Sequence, residues 1–196
     1  MNSRLTEKDS LKLISDMIAL AKGNANQSFF HIILWGWVII IISLSQYVLI
    51  QISGFEEQSS LVWLLTLPAG VVSGIYGYQQ GKKEKSRSFI DYIYKWIWFS
   101  FVISLVVTLF ISIKQHNYVA IPSYVMVLAG MATFLSGLIL KFKPLIWGGV
   151  AFWFWAIIAF QLGNNYDLIV QAIGIFTGYI IPGYLLKSKL KKNEFQ

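Results

Sequence analysis

FFHIILWGWVIIIISLSQYVLI, residues 29–50, carries no charge and only one histidine, one glutamine and two serines among 22 residues. At 1.5 Å per residue a helix of this length reaches ~33 Å, enough to cross about 30 Å of hydrocarbon. It is too long for the apolar core of a signal peptide. The segment before it holds Glu7, Asp9 and Asp16, and no small-residue cleavage site follows, so it reads as an uncleaved membrane helix.

Five further stretches of the same character follow, near 61–78, 89–113, 119–140, 144–160 and 168–186. The connections are short, so the chain reads as three tight hairpins with almost no mass outside the bilayer. Composition agrees: 56% of the residues are hydrophobic, 16% aromatic and 13% charged. A soluble domain carries roughly 25% charged residues, which excludes a water-soluble globule. The expected fold is all-α and polytopic: 1–28 an amino-terminal helix and linker, 29–187 a six-helix transmembrane domain, and 188–196 a basic tail.

The basic residues set the orientation, because Lys and Arg near span ends are retained in the cytoplasm. Arg4, Lys8, Lys12 and Lys22 precede the first span; Lys82, Lys83, Lys85, Arg87 and Lys95 surround the second connection; Lys141 and Lys143 form the fourth; Lys187, Lys189, Lys191 and Lys192 follow the last span. All of the sixteen but Lys114 thus fall on one side, opposite Glu56, Glu57, Asp167 and the polar loop 161–165. Both termini are expected in the cytoplasm, with the chain in a bacterial inner membrane. This scatter between apolar runs also accounts for the formal charge of +7 without a nucleic-acid partner.

Residues 6–23 read as a separate amphipathic helix. Thr6 and Asp9 have the spacing of a cap, Gly23 supplies a stop, and Leu11, Ile14, Met17, Ile18 and Ala21 share one face. Two roles stand open for it: lying along the headgroups beside its own bundle, or docking a protein partner.

Within the spans, small residues and hydroxyls mark where helices touch, since lipid is as apolar as a neighbouring helix. Gly70, Gly74, Gly77 and Gly81 in the second span, Gly148 and Gly149 in the fifth, and Gly174 and Gly178 in the sixth are expected close-contact faces. Ser100, Ser104, Thr108 and Ser112 form a stripe on the third, expected to face protein or to line a solute path. Pro68 and Pro182 are expected to bend or open their helices.

Cysteine is absent, which removes disulfides and thiolate chemistry. The acids nearest the membrane, Asp91 and Asp167, stand at span ends, which argues against proton- or sodium-coupled transport. Asp91 and Lys95 are four apart and expected to pair near the interface, where His31 could join them; His116 lies on the opposite side, so the histidines cannot share a metal. No catalytic residues, metal set or cofactor are implied. Gln46, Gln161 and Gln171 lie near the outer leaflet and could share a polar patch.

The even spans resemble one another: Gly70, Gly130 and Gly174 precede the next cytoplasmic lysine by twelve, eleven and thirteen residues. The odd spans begin LWGW (34–37), KWIW (95–98) and IWGG (146–149). A parallel repeat of three two-helix units would produce this pattern.

The LWGW start of the first span, PSYVMVLAGMATFLSG in the fourth and IIPGYLLKSK at the end resemble an uncharacterised family of small bacterial integral membrane proteins. The resemblance runs over nearly the whole chain and implies a bacterial setting, without an activity, cofactor or site. The leading expectation is a non-enzymatic interaction or regulatory membrane protein whose contact surface is 6–23 and the basic rim, with self-association open. The alternative is a carrier or channel for a small neutral or apolar solute, with a cavity between spans two, three and six.

Overall fold

The computed structural model describes residues 7–83 and 89–192, with side chains placed for 29–80, 82 and 92–188. Every element among them is helical: α1 (Glu7–Ile50), a 3-10 segment (Ser59–Leu65) leading into α2 (Thr66–Lys83), α3 (Phe89–Lys114), α4 (Ile121–Ile139), α5 (Lys143–Leu162), and α6 (Tyr166–Ile175), which passes through a π segment (Phe176–Ile180) into α7 (Ile181–Lys192). Six stretches of 19 to 23 residues are long and apolar enough to cross a bilayer: Phe29–Ile50, Ser59–Gln80, Tyr92–Lys114, Ile121–Ile139, Lys143–Leu162 and Tyr166–Ser188. These six apolar helices are the signature of a multi-pass membrane protein. With six crossings both chain ends share one side, the terminal face, and the loops after α1, α3 and α5 share the far face.

The expected stop at Gly23 does not occur. α1 is one helix of 44 residues, about 66 Å long, and Gly23 lies inside it. A glycine in a helix interior costs about 1 kcal/mol relative to alanine. That is too little to end a helix nucleated on both sides, where stopping would leave several backbone groups unbonded. Side chains 7–28 lie outside the described residues, so their amphipathic face is a property of the sequence alone.

The core sits between α4 and the α6–π–α7 rod. Of their spanning windows 50% and 61% is buried, against 6% for α2 and for α3. α5 packs along α4 and α6, and α1 closes the other side of α6 and α7. α2 rests on α1 and its own 3-10 lead-in, and α3 on α4, each with most of its surface turned outward. The most extensive interface, α4 with α5, joins the second and third of the expected hairpins, and α6 with α1 joins the third to the first. The third such junction, α2 with α3, is marginal at most among the described residues, so the contacts there do not repeat those of the other two.

Glycine sets the close approaches. A Cβ on Gly148 would lie 2.5 Å from the Gly178 carbonyl oxygen, one on Gly149 2.7 Å from the backbone nitrogen of Phe134, and one on Gly137 2.6 Å from that of Ile146. On α6, one on Gly174 would lie 2.9 Å from Met126 Sδ, and on Gly178 one would lie 2.6 Å from Phe152 Cε2. Gly70 and Gly74, expected at the same kind of interface, have nothing within 4 Å. The face that α2 turns to α1 runs through Ala69, Ser73 and Tyr76, one position round the helix from the glycine stripe.

The two prolines act differently. Pro68 falls in the first turn of α2, just past the point where the 3-10 segment gives way to α-helix, and the helix runs on beyond it to Lys83. Pro182 follows the π segment and leaves the Gly178 carbonyl without its helical donor. That carbonyl is turned against Gly148, where α5 and the π segment approach closely.

Candidate functional site

The far-face half of the bundle contains a polar tier. On α6, Asp167 and Gln171 are four apart on one face, 4% and 0% exposed. Ser43 on α1, wholly buried, donates from Oγ to Gln171 Oε1 at 3.1 Å, which fixes α1 against α6. α4 and α6 run in the same direction, and Met126 on α4 is level with Gly174 on α6. One turn nearer the far face on each helix lie Ser123 and Gln171, which are therefore level as well. Ser112 stands two residues from the end of α3, and Ser123 two residues from the start of the antiparallel α4 packed on it, so both lie towards the far face. Four helices thus contribute a polar side chain to one layer.

Hydrogen bonding in this layer is incomplete. Ser112 Oγ, Ser123 Oγ and Gln171 Nε2 are buried without a partner, together with Trp98 Nε1 elsewhere. Each unsatisfied buried group costs about 1–3 kcal/mol. The Asp167 carboxylate, in the first turn of α6, accepts the Leu168 backbone N–H and has no cationic partner among the described residues. Asp167 stands at the end of its span, as expected, and its burial there follows from the loop 163–165. There Gly163, Asn164 and Asn165 all take positive φ and turn α6 sharply back against the bundle.

The three glutamines near the outer leaflet, which could have shared a patch, are used separately. Gln171 bonds Ser43, Gln46 accepts from Trp63 Nε1 at 2.6 Å, and Gln161 is exposed.

About 12 Å towards the terminal face, buried Thr133 on α4 donates to the Tyr179 hydroxyl at 3.3 Å. Nearer that face a second cluster joins α1 to α2. His31 Nδ1 lies 2.8 Å from Ser73 Oγ, and Trp35 Nε1 donates to the same oxygen at 3.3 Å. The indole N–H donates to Ser73 Oγ, and the direction of the bond between Ser73 and His31 follows the tautomer of the ring. Tyr76 stacks on Phe30 with ring centroids 3.8 Å apart and meets the His31 ring edge-on. Ser73 is the residue sequence reasoning missed. Its signal was its place one turn from Ala69 on the non-glycine face of α2. A serine and a histidine in hydrogen-bond reach have the first requirement of nucleophilic catalysis, but the Trp35 donor occupies the oxygen and the pair sits at α2's principal contact. It acts as a clasp.

Of the expected cluster of His31, Asp91 and Lys95, two side chains are described. His31 turns to Ser73, Lys95 is exposed, and the Asp91 side chain lies outside those described. The α3 stripe is split: Ser100 is exposed and donates to its own Ile97 carbonyl, Ser104 and Thr108 are half-buried, and Ser112 alone is buried. No group of three or more histidine or acidic residues that could hold a metal is found among the described residues.

The architecture is that of a multi-pass α-helical membrane protein with a buried polar layer near one face. The chain matches no protein-family model, no curated protein and no solved structure.

Proposed function

We propose that this is a non-enzymatic membrane protein that works by contact, a bacterial inner-membrane protein with both termini in the cytoplasm. The resemblance of its sequence to small bacterial integral membrane proteins and the basic residues on one side support that setting. The observation that carries the contact role is the continuity of α1. Only Phe29–Ile50 is needed to span the bilayer, and the same helix continues through 7–28 for another ~33 Å. A helix bent down along the headgroups would need a break near Gly23. An unbroken one carries Leu11, Ile14, Met17 and Ile18 away from the membrane surface as an apolar stripe for a partner helix or groove.

The alternative role, a carrier or channel for a small neutral solute, finds less support. It calls for a mid-membrane cavity between spans two, three and six. The open furrows found instead are lined by α1 residues alone, one by Phe29, Ile33, Trp37 and Ile41, the other by Leu44, Ser45, Val48 and Leu49.

Deleting residues 2–24 is the test. The truncated protein is expected to keep its melting temperature and elution volume while losing the partner that crosslinks to the full chain in native membranes. An unchanged set of crosslinked proteins and an unchanged phenotype would refute the contact role.

A further inference from the structure

The polar layer of α1, α3, α4 and α6 has more hydrogen-bonding capacity than its own side chains use, and we propose that it binds a monovalent cation. The proposal is independent of the contact role assigned to α1. Three partnerless polar atoms, on Ser112, Ser123 and Gln171, come from three different helices in the far-face half of the bundle, and all three residues are at least nine-tenths buried.

The chemistry of the layer selects the occupant. Amide orientation is an assignment, and Ser43 serves either one. With the Gln171 amide turned over, Nε2 donates to Ser43 Oγ and Oε1 faces the layer beside the two free hydroxyls. The layer then presents only oxygen: two hydroxyls, an amide carbonyl and, one turn towards the far face, the Asp167 carboxylate. Hard cations take such sets. A single carboxylate balances a single positive charge, and in a low-dielectric bundle the neutral combination is the one that can be buried, which excludes a divalent ion. Neither furrow along α1 is lined by a residue of the layer, and the simplest occupant of an oxygen set between packed side chains is a bare ion. Bound there, the ion ties the weakly packed α3 to the α1–α4–α6 core.

The test is a thermal melt of the purified full chain in detergent, at constant ionic strength, as choline chloride is replaced by sodium or potassium chloride. Saturable stabilisation by at least one of the two metal ions is expected, with a rise of roughly 3–6 °C at ten times the dissociation constant. Asp167→Asn keeps the shape of the side chain and removes its charge; it is expected to abolish the rise, and Ser123→Ala to weaken binding about tenfold or more. Should either variant fail to fold, the other decides. Equal melting in all three salts overturns the proposal, as does a rise that Asp167→Asn and Ser123→Ala leave intact. A transition driven by acidification but not by either metal ion assigns the layer to a proton and overturns it as well.

Discussion

Gly148→Ala is expected to lower the stability of the bundle by about 3 kcal/mol, and Gly74→Ala not to lower it at all. The added methyl group at 148 lies 2.5 Å from a backbone oxygen, that of Gly178, and 3.1 Å from Pro182 Cγ. Neither is the end of a flexible side chain, so α5 and the π segment must separate. At Gly74 and at Gly70 the same methyl meets nothing within 4 Å, and the higher helix propensity of alanine contributes up to about 1 kcal/mol. Thermal melting of the purified variants in one detergent checks the contrast. Gly148→Ala melting with the parent, or Gly74→Ala melting far below it, would show that the bundle packs through a different set of faces.

The second large effect concerns α1. Spin labels on cysteines placed at Lys12 and Trp37 are 25 residues apart, about 38 Å along an unbroken helix, and the chain has no cysteine of its own to interfere. A narrow distance distribution near that value is expected. Ala25→Pro removes a backbone hydrogen bond and clashes with the preceding turn, at a cost of about 3 kcal/mol. It is expected to broaden and shorten the distribution and to impair partner crosslinking while leaving the membrane bundle intact. A broad distribution already in the parent chain would mean that α1 bends at Gly23 and that the rigid extension does not exist.

These two effects mark the boundary of what local pattern reveals. Hydropathy integrated over about twenty residues is a strong signal, and all six crossings were legible from it, with ends within a few residues of those in the structure. Which face of each helix finds a neighbour was less legible. In the second span Gly70 and Gly74 have the same spacing as Gly174 and Gly178, yet only the latter pair meets another helix, because α2 lies at the edge of the bundle and α6 at its centre. Nothing in the spacing of small residues encodes that difference. Gly23 misled for the opposite reason: a one-residue propensity was weighed without the helix on both sides of it.

The candidate site shows the same division. Asp167 and Gln171 were visible as polar residues of the sixth span, but their burial depends on the left-handed turn at 163–165 and on Ser43, 128 positions away from its partner Gln171. Ser123, level with Gln171 only once α4 and α6 run side by side, had no local signal. His31 stood out as a rare titratable group, and its partner proved to be Ser73, which faces it from α2.

The account rests on six crossings that leave both chain ends in the cytoplasm, and single cysteines in this cysteine-free chain test it directly. A membrane-impermeant maleimide applied to intact cells is expected to label cysteines at Glu57, Asn117 and Gln161, and to reach those at Lys8, Lys143 and Lys192 only after the cells are opened. Labelling of Lys8 and Lys192 from opposite sides of the membrane, or of Lys143 together with Asn117 in intact cells, would contradict it.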